Sequence, residues 1–375
     1  MSEQSQHSEP KKMNRREFLR LAVKTGVSLV GGAVLSDLTL RGNPRASSNE
    51  EDSKLQESEL TTRIQELITD IKKMSLTELE QQIFNECPVI PHLAQVKEHL
   101  QQITDIPKGS ILLKAGTSVA WNMLQSIYGT DVNPDQINFG AEQEKLRLVL
   151  EYFQLPSWAL EQASLLGEDI DQLLHDPLFC SKKPRDVVTS PYSMPCPPNL
   201  SVIDAYIDYF HSKVAINFVG TNLMHNEVSL EEFAMKLKDL IQHYLSKNVI
   251  PILTTLPHPP NDNSEVYREW YGESKETIFL PENALRYNLL IVKLAELYQV
   301  PLINLERGVV ELAEHDGTVF LSSMTTQIDP IHFSHTPEKH PLRKPEADKK
   351  FQTGEEAVSY FTVLTLYELL KVMGK

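Results

Sequence analysis

The fold is decided by the stretch KVAINFVGTNLMHN, residues 213–226. Its first half, residues 214–219, is almost entirely apolar and has the length of one strand. A strand that is buried on both faces reads as such a continuous apolar run, whereas a strand with one wet face alternates. The run stops at Gly220, and Asn222 follows two residues later. We therefore predict a doubly covered strand with a polar residue just beyond its carboxyl end.

Outward from this stretch, apolar strands and amphipathic helices alternate along the chain. The helical segments carry apolar residues three and four positions apart, and the strand-like segments are short apolar runs. Such alternation is typical of βαβ units and of a parallel sheet covered by helices on both faces, so we predict the α/β class. Further strands are expected at 109–118, 249–257 and 301–305, and helices at 228–248, 281–300 and 357–375.

The overall composition excludes several classes of protein. The chain has 375 residues and a formal net charge of -15, with 41% hydrophobic and 23% charged residues, which is ordinary for a globular protein. Nucleic acid is a poor partner for so acidic a chain, because binding to phosphate backbones depends on basic patches. Three cysteines without a C-x-x-C pair fit neither a disulfide scaffold nor a zinc site.

The first 46 residues differ from the rest of the chain. Residues 11–36 read KKMNRREFLRLAVKTGVSLVGGAVLS, with the pair Arg15–Arg16 ahead of a mildly apolar stretch that is too short and too polar for a good transmembrane helix. This pattern resembles a twin-arginine export signal, which implies transport by the twin-arginine translocase to the periplasm or the outside. A basic amphipathic helix is the alternative. Cleavage of the signal and its retention as an anchor both stay open.

Residues 47–107 form a second predicted part, ahead of a main domain that spans residues 108–375. Residues 47–59 are polar and charged, which predicts a flexible linker. Beyond them, apolar residues recur at spacings of four and three, which predicts a helix that packs against the main body. These apolar residues are Leu60, Ile64, Leu67, Ile71 and Met74.

Polar residues that follow the predicted strands form a candidate catalytic set. In parallel sheets, ligands bind beyond the carboxyl ends of the strands, where Ser118, Asn222 and the pair Thr254–Thr255 are expected to lie. Ser118 follows a strand on a glycine turn and can serve as a nucleophile. His332 is a candidate base, because Asp329 three residues earlier can orient its imidazole. The alternative is a loop with incidental polar residues or a simple Asp–His pair at the surface.

The order of these residues resembles that of the SGNH/GDSL hydrolase family. The resemblance is carried by KAGTSVAW, ASLLGEDIDQLL, VAINFVGTN and DPIHFS, and it covers residues 108–335. It implies a flavodoxin-like three-layer α/β sandwich and ester hydrolysis without a cofactor. Ser118 would be the nucleophile and His332 the base, oriented by Asp329. The implied oxyanion donors are the backbone N–H groups of Ser118 and Gly167 and the side-chain amide of Asn222. An acetylated carbohydrate and a small lipid-like ester both stay open as substrate.

Two positions depart from the family pattern. Thr117 stands where the family has an Asp before the serine, and Leu223 stands where an Asp follows the asparagine. Gly140 is the alternative to Gly167 as an oxyanion donor. These departures keep open a second interpretation, in which an SGNH-fold protein of weak or absent activity binds cell-envelope glycan. A third interpretation, an exported carrier of a metal or cofactor, is disfavoured because the sequence contains no evident cluster of metal ligands.

Two segments outside this set have competing interpretations. Cys180 and Cys196 flank a Pro-rich loop, and in an exported chain they predict a disulfide, with two free thiols as the alternative. Residues 256–279 form a polar and aromatic insertion after a strand end, which predicts either a lid over the site or plain surface packing. The histidines at 332, 335 and 340 have a spacing that is weak for a metal site.

Overall fold

A parallel sheet of five strands lies at the centre of the described part of the chain. The computed structural model describes residues 50–90, 93–116, 139–154, 170–175, 200–225, 228–256, 281–308 and 354–375. The strands are β1 (Ser110–Gly116), β2 (Phe153–Gln154), β3 (Val214–Phe218), β4 (Ile250–Thr254) and β5 (Leu302–Ile303). Their order is β2-β1-β3-β4-β5, and every neighbouring pair is parallel.

The sheet confirms the predicted α/β class and the four predicted strands. Every residue of β3 and of β4 is buried, so both faces of the central sheet are covered, as the continuous apolar runs predicted. The sequence analysis did not predict β2. This strand has two residues, which pair with Ser110 and Ile111 at the start of β1. So short a strand has no periodicity of its own and is defined by its pairing partner.

Eight of the ten described α-helices fall into two packing groups. The ten helices are α1 (Glu50–Lys73), α2 (Leu76–Glu80), α3 (Lys97–Ile103), α4 (Gln143–Tyr152), α5 (Ile170–His175), α6 (Val202–Phe210), α7 (Thr221–His225), α8 (Leu230–Ser246), α9 (Pro281–Tyr298) and α10 (Gly354–Val372). In one group α4 packs against α10, and in the other α1, α2, α5, α6, α8 and α9 pack together. The connection from β1 to β2 moves toward one edge of the sheet, whereas the connections from β3 to β4 and from β4 to β5 move toward the other edge. Because such crossovers are right-handed, the two groups of helices lie on opposite faces of the sheet.

Helix α8 illustrates how local sequence sets these elements. It begins after Ser229, whose Oγ accepts a hydrogen bond of 3.1 Å from the backbone N–H of Glu232, as expected of a helix N-cap. Glu231 and Glu232 in the first turn complement the positive end of the helix dipole. The apolar stripe predicted from the sequence is fully buried: it comprises Phe233, Leu237, Leu240, Ile241 and Tyr244.

Helix α1 begins inside the segment that composition predicts to be a linker. Residues 50–59 are helical, and they extend the helix of the predicted apolar stripe toward the N-terminus. Its core-facing residues include Ile64, Ile68 and Ile71, which are buried, and it packs against α8 and α9 as predicted. The charged start of the helix has a partner that the local sequence does not reveal, since the Glu57 carboxylate pairs with the buried ammonium of Lys238.

Residues 48–375 group into one compact unit, which includes α1. Within the ranges that the structure describes, no helix combines the length and the apolar character that crossing a membrane requires. The predicted export signal, residues 1–46, lies outside these ranges.

Candidate functional site

The carboxyl ends of β1 and β3 lie side by side in the middle of the sheet. Gly116, the last residue of β1, pairs with Phe218, the last residue of β3. From β1 the chain proceeds to β2 on one side, whereas from β3 it proceeds to β4 and β5 on the other. Such a reversal of strand order is the place where open α/β sheets bind their ligands, in the crevice beyond the strand ends.

Most of the predicted site residues fall outside the described part of the chain. Ser118 follows the end of β1 by two residues, and the structure describes neither it nor Thr117. The same holds for the other members of the predicted set, which are Gly167, Asp329, His332 and the cysteine pair Cys180 and Cys196. The insertion at 256–279, predicted as a lid or as plain surface packing, is likewise outside except for Leu256. These predictions stay predictions.

Asn222 is the predicted site residue whose backbone the structure describes. It is the second residue of α7, a single turn of helix that starts directly after Gly220. Gly220 has a φ of +119°, a backbone angle that residues other than glycine rarely adopt. An added Cβ there would lie 2.9 Å from Cζ of Phe233 and 3.3 Å from Cδ1 of Leu256. The turn before Asn222 therefore requires glycine both for its conformation and for the close approach of α8.

The turn that carries Asn222 is held by backbone hydrogen bonds and by apolar packing. The N–H of Met224 donates to the carbonyl of Gly220 at 2.8 Å, and the N–H of Val228 donates to the carbonyl of Leu223 at 3.1 Å. Leu223 and Met224 are both buried. The side chain of Leu223 thus anchors the turn in the core by apolar packing.

Two aromatic residues from α8 and α9 complete the support of this turn. Phe233 stacks on Tyr287, with ring centroids 4.8 Å apart and an interplanar angle of 27°. The hydroxyl of Tyr287 donates a hydrogen bond to the carbonyl of Val228. Burial, followed by the charge of Glu232, raises the pKa of Tyr287 to about 12, so its hydroxyl remains a donor at neutral pH. The sequence predicts Phe233 only as part of an apolar stripe and does not single out Tyr287, because Tyr287 reaches Val228 across 59 positions of the chain.

Gly140, the alternative oxyanion donor, is also within the described residues. It has a φ of +58° and opens a 3-10 turn, Gly140–Glu142, that leads into α4. Because α4 runs directly into β2, which starts level with the start of β1, the beginning of α4 lies toward the carboxyl ends of the strands. An added Cβ at Gly140 would meet nothing within 4 Å. Its location is therefore compatible with the alternative assignment.

The pair Thr254–Thr255 lies at the carboxyl end of β4, as predicted, and both hydroxyls bond to the protein. Oγ1 of Thr254 donates to the carbonyl of Asn217 at 3.0 Å. Oγ1 of Thr255 donates to Oδ1 of Asn304 at 3.2 Å and accepts from the N–H of Glu306 at 3.0 Å. Thr254 thus links β4 to β3, and Thr255 links the end of β4 to the chain that follows β5.

Asn304 joins this edge of the sheet to the N-terminal segment, and the sequence analysis did not single it out. Its Nδ2 donates to the carbonyls of Ile83 and Cys87, at 2.9 and 3.1 Å. Its Oδ1 accepts from the N–H of Arg307 at 3.2 Å as well as from Thr255. All four hydrogen-bonding positions of the amide are used, so Asn304 is structural. The sequence does contain one indication of its importance, since Asn304, like Asn222, follows an apolar strand.

Metal and thiol chemistry find no support among the described residues. In those ranges, no group of three or more His, Cys, Asp or Glu side chains is arranged to hold a metal ion. Cys87 is a buried free cysteine, and burial raises its pKa to about 11. Its thiol is therefore protonated at neutral pH and is a poor nucleophile.

Comparison with known proteins adds no assignment. No protein-family model, no curated protein and no solved structure matches this chain.

Proposed function

We propose that the chain is an exported serine esterase of the SGNH type, which hydrolyses an acyl ester such as an acetylated carbohydrate or a small lipid-like ester. The observation that carries the proposal is the pairing of Gly116 with Phe218. Ser118 lies two residues beyond the end of β1, and Asn222 lies four residues beyond the end of β3. A nucleophile and an oxyanion donor must lie close together, and adjacent strand ends supply that closeness.

The connectivity of the sheet supports Asp329 and His332 as members of the set. Asp329 and His332 belong to the chain between β5 and α10, and this chain starts at the same carboxyl edge of the sheet. The strand order with its reversal between β1 and β3, and the two helix groups on opposite faces, are the features expected of a flavodoxin-like three-layer sandwich. The proposed family has that architecture.

In the proposed reaction, His332 takes the proton of Ser118 as the serine oxygen attacks the ester carbonyl. The resulting oxyanion accepts hydrogen bonds from the N–H groups of Ser118 and Gly167 and from the amide of Asn222. When the carbon–oxygen bond to the alcohol breaks, His332 returns the proton to the leaving alcohol, and an acyl-enzyme remains. Water, deprotonated by His332, then attacks the acyl carbonyl; as the bond to the serine oxygen breaks, His332 returns the proton to Ser118 and the acid leaves. Asp329 holds the imidazole in the useful tautomer throughout.

One observation favours a second candidate, a binding protein of the same fold with weak or no activity. Leu223 is a buried apolar anchor at the position where the family has a carboxylate. A turn supported in this way can persist in a protein that binds a cell-envelope glycan without hydrolysing it. The two candidates differ in whether Ser118 is an activated nucleophile.

A fluorophosphonate probe, which reacts with activated serines, tests the proposal. Applied to cell fractions, it should label the wild-type protein at Ser118 in the exported fraction and should not label a Ser118→Ala variant. A variant with Arg15→Lys and Arg16→Lys should be labelled only in the cytoplasm, if export follows the twin-arginine route. Absence of labelling in folded wild-type protein would favour the binding protein, and unchanged export of the double-lysine variant would contradict the route.

A further inference from the structure

We propose that Tyr287 is a positioning residue for the oxyanion donor, which acts by holding the turn that carries Asn222. The inference rests on the proposed function, and it adds a residue on α9 that the proposed function does not include. The juxtaposition that carries it is the stacked pair of Phe233 and Tyr287 against the two ends of this turn.

The first end of the turn is fixed by Phe233. Its ring lies so close to Gly220 that a Cβ on the glycine would come within 2.9 Å of Cζ and 3.0 Å of Cε2. The ring in turn stacks on Tyr287, whose centroid is 4.8 Å away. Phe233 is fully buried and Tyr287 is 7% exposed, so neither ring has room to move aside without repacking α8 against α9.

The second end of the turn is fixed by the hydroxyl of Tyr287. It donates to the carbonyl of Val228, whose own N–H donates to the carbonyl of Leu223 at 3.1 Å. Val228 directly precedes Ser229, the N-cap of α8. Phe233 is the fourth residue of that helix, and apolar residues at these two positions commonly pack together. The side chain of Tyr287 therefore contacts the chain after α7 directly, and it supports the chain before α7 through Phe233.

This arrangement matters because an oxyanion donor works only when it is preorganised. A misplacement of about 1 Å can cost on the order of 10²-fold in rate. Hydrogen bonds within α7 fix its internal shape, but they do not fix its place relative to β1, where the serine follows. Contacts to α8 and α9 supply that second constraint, because both helices pack on the sheet through β4.

The test removes one oxygen atom. Tyr287→Phe keeps the ring and its stack on Phe233 but deletes the hydrogen bond to Val228. The expected result is a fall in kcat of about ten-fold on a short-chain acyl ester, with KM little changed. In an Asn222→Ala background, Tyr287→Phe should cause no further loss, because the donor that it positions is gone. Hydrogen exchange of the peptide that covers residues 220–228 should rise in Tyr287→Phe.

The matched control is Tyr244→Phe. Tyr244 lies on α8 and is fully buried, and its hydroxyl has no hydrogen-bond partner among the residues that the structure describes. The same substitution therefore removes a phenolic oxygen without touching the turn. It should leave kcat and the exchange of the 220–228 peptide unchanged. The proposal is overturned if Tyr287→Phe retains kcat within two-fold of wild type, or if its loss is undiminished in the Asn222→Ala background.

A failure of the proposed function gives a different result. If the folded wild type shows no turnover that depends on Ser118, the esterase itself is refuted, and with it the role of Tyr287 in positioning an oxyanion donor. If Ser118→Ala abolishes turnover and Asn222→Ala lowers kcat, but Tyr287→Phe does not change it, the esterase stands and only the positioning role is refuted.

Discussion

At the scale of single residues, Gly220 links the end of β3 to the turn that carries Asn222. Its φ of +119° lies in the region that glycine alone enters at little cost, and Phe233 occupies the space that a side chain would need. Two independent requirements thus meet at one position. The sequence alone suggests a turn there, whereas the close approach of Phe233 is visible only in the fold.

Gly220→Ala should therefore destabilise the protein more than a glycine substitution that meets only one requirement. Backbone strain costs about 1–3 kcal/mol, and overpacking against Phe233 adds about 1–3 kcal/mol to the loss in unfolding free energy. Gly374→Ala is the matched control, because Gly374 has a φ of +77° but an added Cβ there would meet nothing within 4 Å. Urea unfolding measures both variants. Equal losses in the two would contradict the steric part of this account.

At the scale of elements, α1 is part of the larger group of packed helices. It packs against α8 and α9, and its buried stripe includes Ile64, Ile68 and Ile71. The carboxylate of Glu57 accepts hydrogen bonds from Gln242, at 2.9 Å, and from Lys238. Burial alone would raise the pKa of Glu57, but these two hydrogen bonds outweigh it, so that the pKa lies below its ordinary value.

Loss of one buried side chain from α1 should then weaken the whole unit. Ile68→Ala should lower the unfolding free energy by about 2–4 kcal/mol in a single cooperative transition, because it leaves a cavity between α1 and its neighbours. Leu76→Ala is the control, since Leu76 is 40% exposed, and it should change stability by less than about 0.5 kcal/mol. If Ile68→Ala were as mild as Leu76→Ala, α1 would be a peripheral element.

At the scale of the whole molecule, the sequence predicts what depends on local pattern. The strands β1, β3, β4 and β5 lie in largely apolar runs, and helices with clear periodicity follow several of them, so the parallel sheet could be predicted. Since strand ends in such a sheet share one edge, the position of the turn with Asn222 could be predicted as well. The helical state of residues 50–59 could not, because their polar composition hides the pairing of Glu57 with Lys238.

The support of the candidate site lay beyond prediction for the same reason. Tyr287 reaches Val228 across 59 positions, and Asn304 reaches Ile83 across 221. No periodicity or spacing in the sequence encodes such contacts, since they arise only when the helices pack. The segments that follow β1, β3, β4 and β5 all leave from the carboxyl edge, which is why residues so distant in sequence can serve one site.

The central claim, that Ser118 and Asn222 act together at this edge, is tested most directly by a kinetic cycle on a short-chain acyl ester. Asn222→Ala should lower kcat by about 10²–10³-fold with KM little changed, because it removes one oxyanion donor. Ser118→Ala should abolish the turnover that depends on the nucleophile, and the double variant should lose nothing more. Circular dichroism confirms that each variant is folded. A folded Asn222→Ala enzyme whose kcat stays within a few fold of wild type would contradict the account.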